Sequence, residues 1–136
     1  MDRTRYQTYK PWRIGLFPKG RSDVWSLSDS REGLEISLVF RDIDQIVTVK
    51  FGCTDAYRVV DEGYRLRQLK HLPLPMEETI YVVSQSDMVK ELVDEACGMV
   101  DEERAIHYFI VTDNDCIDVI VKSDHDEPKL EYKSTT

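Results

Sequence analysis

The sequence predicts one α+β domain in which antiparallel sheet dominates. Three observations carry that prediction: hairpins with period-two apolar alternation, one amphipathic helix with marked ends, and a length of 136 residues that suits a single core. About five to seven strands are expected, packed by a main helix over 87–97 and a shorter one near 55–62. The whole chain, 1–136, reads as one domain with no internal repeat.

The first hairpin is the clearest element. Leu34, Ile36, Leu38 and Phe40 fall on one face and Glu35, Ser37 and Arg41 on the other, the pattern of a half-buried strand. A short connection over 42–45 leads to a second run over 46–51, where Val47, Val49 and Phe51 oppose Ile46, Thr48 and Lys50. A similar pair closes the chain. Residues 105–112 are β-branched and aromatic, Asp113, Asn114 and Asp115 supply turn chemistry, and 116–121 return. The run 79–84 is almost continuously apolar and suits a central strand. Near the start, 12–17 and 23–27 are further strand candidates around Pro18 and Gly20.

The helix is marked by Ser86 as a cap, Asp87 in the first turn and Gly98 just past the end. Met88, Leu92 and Ala96 recur at i+4 beside Val89 and Val93, opposite Lys90, Glu91, Asp94 and Glu95. The segment 54–69 reads two ways. Asp55 can cap a short helix bearing Ala56, Val59 and Val60, or Tyr64 and Leu66 can mark an edge strand; a helical turn followed by an extended stretch is the expected outcome. His71 to Pro75 then form a connector, because prolines lack the backbone donor.

Charge separates along the chain. Residues 1–21 carry Arg3, Arg5, Lys10, Arg13, Lys19 and Arg21 against Asp2, a balance of +5, so the remaining 115 hold −13 of a net −8. The basic segment either folds back on the acidic body or projects as a partly mobile arm. An acidic body disfavours nucleic acid and anionic membrane and favours a basic protein partner. No apolar run reaches the roughly 18 residues of a membrane span, and Met1 to Arg5 lead into Tyr6, Gln7 and Lys10 rather than an apolar leader. With Cys53, Cys97 and Cys116 an odd set without a Cys-x-x-Cys pair, a reducing cytoplasmic setting is expected, and Cys97 and Cys116 read as small core residues.

Catalytic and metal motifs do not assemble. Asp113, Asp115 and Asp118 resemble the start of an EF-hand loop, but Asp118 stands where glycine is needed and Asp124 where a bidentate Glu belongs, so a polar turn is the better reading. No pair of histidines has metal-ligand spacing. There is no Gly-x-Ser-x-Gly elbow and no phosphate-cradling loop. His107 lies inside a strand, where a satisfied histidine is expected rather than a general base. No enzymatic activity, cofactor or metal is therefore expected.

What remains is surface. Carboxylates group as Asp87, Glu91, Asp94 and Glu95, as Asp101, Glu102 and Glu103, and along the last hairpin and its extension. From that last group Asp113, Asp115, Asp118, Asp124, Asp126 and Glu127 are the expected partner-binding set, with Tyr108 and Tyr132 as aromatic anchors and Trp25 as a further one. Glu131 belongs to the same run.

The stretches 51–66 and 106–120, about a quarter of the chain, give it a style that resembles the immunity proteins of bacterial polymorphic-toxin and contact-dependent inhibition systems. The residues are Phe51, Gly52, Tyr57, Arg58, Asp61, Glu62, Gly63, Arg65 and Leu66, then Ile106, His107, Tyr108, Ile117, Asp118, Val119 and Ile120. The resemblance implies tight binding to a cognate toxin domain, a basic nuclease in many such systems, with Tyr57, Arg58, Asp61 and Glu62 orienting a turn. Two other classes stay open: a small adaptor or regulatory domain, and a ligand-binding domain whose pocket lies near His107, Tyr108 and Arg58.

Overall fold

The computed structural model describes residues 7–65, 69–70, 72, 78–97 and 99–135. Among these residues nine strands form two antiparallel sheets. Strands β1 (Thr8–Pro11), β6 (Ile80–Ser84), β7 (Ala105–Val111), β8 (Asp115–Lys122) and β5 (Ala56–Asp61) make one, in the order β1-β6-β7-β8-β5. Strands β2 (Ser22–Ser30), β3 (Gly33–Phe40), β4 (Gln45–Gly52) and β9 (Lys129–Ser134) make the other, in that order. The α-helix with described bounds, α1 (Asp87–Glu95), connects β6 towards β7. The fold class is thus α+β with sheet dominant, and the strand count is higher than the expected five to seven.

Alternation explains the layers. Leu34, Ile36, Leu38 and Phe40 of β3 and Val47, Val49 and Phe51 of β4 meet Ile80, Tyr108, Ile110, Ile117, Val119 and Val121 of the five-stranded sheet in the main core. Between the members of that set, β7 and β8 turn His107, Phe109, Cys116 and Asp118 to the opposite face. There Tyr9, Leu72, Tyr81, Val83, Phe109 and Cys116 form a second buried cluster. The five-stranded sheet is therefore covered on both sides, which is why β8 reads as an almost unbroken apolar run.

Several local readings change. The segment 55–62 is not a helix: β5 pairs with β8 from Ala56↔Ile120 to Asp61↔Asp115, and a single 3₁₀ turn follows at Glu62–Tyr64. Asp61, rather than Asp55, does the capping, accepting from the Gly63 N–H at 2.8 Å, while Asp55 pairs with Lys122 at 3.2 Å. The first strand is Thr8–Pro11 and not 12–17. Residues 12–17 instead run irregularly through Gly15, at φ +83°, and are pinned by aromatic contacts. Trp12 meets Tyr108 edge-on at 5.7 Å and Phe17 lies 6.4 Å from Phe40. The expected edge stretch around Leu66 and the prolines of the connector lie outside the described residues, as does Gly98. Cys97 takes the left-handed position after α1, at φ +50°, and is exposed, so of the two expected core cysteines only Cys116 is buried.

The basic segment folds back, as far as it is described. Tyr9 is buried in β1, Arg13 pairs with Glu127, and Arg21 reaches Asp113 at 3.7 Å.

The turn into β3 depends on a missing side chain. Gly33 sits at φ +112°, and a Cβ there would lie 2.4 Å from the Gly52 backbone. Neither strand can move without breaking the β3–β4 ladder. Gly33→Ala should therefore cost about 2–4 kcal/mol in urea unfolding, whereas Gly15→Ala, with open space around it, should cost only about 1–2 kcal/mol for its backbone conformation. Equal losses would show that the close approach to Gly52 does not matter.

Candidate functional site

The polar centre of the molecule lies on the helix-covered face of the five-stranded sheet. Asp118 of β8 is 0% exposed, His107 of β7 2% and Ser86 5%. The register sets Asp118 opposite both Phe109 of β7 and Arg58 of β5. A carboxylate only accepts, so His107 Nε2–H donates to Asp118 Oδ1 at 2.7 Å. That leaves Nδ1 to meet the Ser86 hydroxyl at 2.6 Å, and Ser86 Oγ in turn accepts the Val89 N–H at 3.0 Å as the cap of α1.

Two guanidinium groups close the other side. Arg65 Nη1 donates to Asp118 Oδ2 at 2.5 Å, and Arg58 donates to the same oxygen from Nε at 3.2 Å and Nη2 at 3.1 Å. Arg65 is itself buried and lies 5.0 Å over the Phe109 ring. Burial alone would raise the Asp118 pKa, but the hydrogen bonds from His107 and Arg65 and their charges win and hold it down to about 2. Cys116 beside it goes the other way: burial pushes its thiol up to about 11 against the pull of Arg65, so it is no nucleophile at neutral pH. Among the described residues no buried side-chain nitrogen or oxygen lacks a hydrogen-bond partner.

The order Ser86, His107, Asp118 has the composition of a hydrolytic triad, but its geometry does other work. The ring is reversed, with Nδ1 towards serine and Nε2 towards aspartate, and the hydroxyl is enclosed and already serves as a helix cap. A nucleophile needs a face open to substrate, and Ser86 has none to speak of at 5% exposure. The network is structural: it joins β7, β8, β5, the residue after the 3₁₀ turn and the start of α1.

The expected partner-binding residues are dispersed. Asp118 and Tyr108 are buried and belong to no surface; Tyr108 packs against Phe51 and Trp12 in the main core. Asp113 and Asp115 lie at the β7–β8 turn, where Asp113 meets Arg21 and Arg41 and Asp115 bonds back to Thr112. Asp124, Asp126 and Glu127 lie past the far end of β8, Glu127 paired with Arg13. Tyr132 is 47% exposed on β9, its hydroxyl donating to the Leu16 carbonyl at 2.6 Å. Trp25 is exposed at the β2 bulge. Glu131 is held by Lys50 at 2.7 Å.

The helix behaves differently. Asp87, Glu91, Asp94 and Glu95 are exposed, and none has an ion pair among the described residues. Glu102 and Glu103 of the next turn are exposed and likewise unpaired. Between α1 and β5 lies a cleft of about 460 Å³ lined by Ala56, Met88, Leu92 and Ile120, with Glu91 and Glu95 at its rim and Arg58 reaching it from the network. Sequence reasoning noted these carboxylates but not the cleft. It named Arg65 but did not place it in a buried network, since its partner is 53 residues away. The available signal was Asp118 itself, a charge inside an apolar strand that must find partners when buried.

Among the described residues no group of three or more His, Cys, Asp or Glu is placed to hold a metal ion, and no helix is long and apolar enough to cross a membrane. Asp118→Asn should cost about 3–5 kcal/mol in urea unfolding, because it removes the buried negative charge to which Arg65, Arg58 and His107 all donate; a loss under about 1 kcal/mol would mean that the network is dispensable. The wild-type carboxyl titrates near about 2 folded and near about 3.9 unfolded. Its contribution, on the order of 2–3 kcal/mol, is therefore full above about pH 4 and vanishes as pH falls through about 2. Acid unfolding followed by circular dichroism should show that stabilisation in the wild type and lack it in Asp118→Asn. No protein-family model, curated protein or solved structure matches this chain.

Proposed function

We propose that this protein is an immunity protein that binds a cognate toxin domain, a basic nuclease by charge logic, and neutralises it through the acidic face of α1. The carrying observation is the unpaired state of that face. Asp87, Glu91 and Glu95 repeat at i, i+4, where like charges repel. Asp94 and Glu95 add negative charge at the negative end of the helix dipole, and no basic residue stands in the last turn. Elsewhere part of the acidic surface is neutralised: Asp113, Glu127 and Glu131 have cationic partners. On α1 four exposed carboxylates stand on one short helix with no such partner among the described residues, which supports a role for external positive charge.

An acidic face of this kind accelerates encounter with a basic protein more than it adds affinity.

Co-expression with the product of the reading frame next to this one tests the function. Rescue from toxicity and co-purification of the pair are the expected results, and failure of both would remove the immunity reading. Electrostatics is tested separately by stopped-flow association between about 50 and 500 mM salt. The rate should fall steadily as salt rises, and the variant Glu91→Gln/Asp94→Asn/Glu95→Gln should associate roughly tenfold more slowly at the low end. A rate indifferent to salt and to that variant would sink the acidic-face part of the proposal.

A further inference from the structure

Every open sheet edge invites another strand, and proteins usually blunt theirs. This fold has four. Strand β1 is four residues long and ends in Pro11, which has no donor. Strand β2 is bulged between Val24 and Ser26 and carries mainly Ser and Asp along its edge. Strand β9 is guarded by Lys129, Glu131 and Lys133. Strand β5 has no proline and no bulge, and its two charges are turned to partners within the fold, Arg58 to Asp118 and Asp61 to the Gly63 N–H. It runs unbroken in register with β8 on one side, has no strand among the described residues on the other, and exposes Tyr57 (38%) and Val59 (47%).

We propose that β5 is a docking edge that takes an extended segment of the partner protein as an added strand, with a lysine or arginine of that segment entering the cleft beneath α1. The cleft has the chemistry of such a side chain: Met88, Leu92, Ala56 and Ile120 offer apolar walls for a methylene stem, and Glu91 and Glu95 meet its charged head at the rim. Arg58, which also borders the cleft, has its guanidinium committed to Asp118. The same charges reject a second copy of this chain. Two β5 edges brought together would set two unpaired acidic α1 faces side by side in a protein of net charge −8. The docking mode is strand addition, in which backbone hydrogen bonds supply affinity and a pocket for alternate side chains supplies selection. It rests on the reading of α1 as the face for a basic protein and adds to it the edge and the segment.

The probe is a capped peptide of alternating lysine and valine, about ten residues long, titrated into the ¹⁵N-labelled protein. The amides of 56–61 and 88–95 should shift saturably and those of β2 and β9 should not. N-methylation of alternate peptide residues, or glutamate in place of lysine, should weaken binding at least about tenfold. Val59→Lys and Glu91→Lys, both at exposed positions and each checked for folding by circular dichroism, should do the same. Shifts confined to other edges, or binding unaffected by N-methylation, would overturn the proposal. So would a concentration-dependent dimer abolished by Val59→Lys, which would make the occupant a second copy. The two readings separate cleanly: a Val59→Lys variant that still rescues cells from the toxin leaves immunity standing and removes the edge. Peptide binding without any rescue does the reverse.

Discussion

The molecule is organised around one carboxylate. Asp118 projects from β8 into the layer between the five-stranded sheet and α1, and every neighbouring element sends it a donor: His107 from β7, Arg58 from β5 and Arg65 from beyond the 3₁₀ turn. Through His107 it also fixes Ser86, and Ser86 caps α1. A buried charge is expensive unless paired and fully hydrogen-bonded, and here the geometry meets both conditions. Loss of any one donor would loosen the relation of α1 to β5, which is the relation that shapes the cleft. Conformational specificity is the plain role for such a network. An apolar residue at 118 would fill the space but would select no single placement of Arg65, Arg58 and His107.

The charge distribution then follows from how the N-terminal segment docks. Its arginines neutralise the ends of the sandwich, Arg21 at the β7–β8 turn and Arg13 at the loop before β9. Arg41 adds a bidentate pair to Asp23, and Asn114 ties the same aspartate to the turn at 2.5 Å. Part of the negative charge at the two ends of β8 is thereby offset. Another share of the surplus stands on α1 and the turn after it, which carry only Lys90 and Arg104 in return. Net charge in the sequence and usable charge on the surface are different quantities, and docking of a basic segment converts one into the other.

Local pattern was sufficient wherever one face of an element met solvent. Strands β3 and β4 alternate cleanly because their outer face is wet, and α1 announces itself through Ser86 and its i+4 apolar row. Pattern failed where tertiary contact decides. The run 55–62 holds Val59 and Val60, which suit a strand, behind an aspartate that suits a helix cap; pairing with β8 settles it, and β8 lies about sixty residues away. Residues 12–17 alternate like a strand, yet Gly15 at φ +83° and the seating of Trp12 and Phe17 on the core hold them in an irregular path. The binding set drawn along the last hairpin failed for a geometric reason. Sequence neighbours on a strand of eight residues are split between its two faces and its two ends, so Asp118 went inward while Asp113 and Asp124 went to opposite ends. His107 was expected to be satisfied and is, but its partners lie 21 positions upstream and 11 downstream, beyond the reach of any local pattern.

A helix of nine residues with like charges at i, i+4 and acids at its carboxyl end would not be stable alone. Its stability has to come from the side it buries, where Val89 packs inward and Ser86 is held from both directions. The outer face of α1 is thus released from any duty to stabilise the fold, which leaves it free to be tuned for another molecule. The same logic applies to β5. Its inner side is secured by the β8 ladder and by the Arg58–Asp118 bridge, so its outer side can stay flat and open without threatening the sheet. The repulsive helix face and the open edge adjoin across the cleft lined by Ala56, Met88, Leu92 and Ile120, beside the buried network that ties α1 to β5.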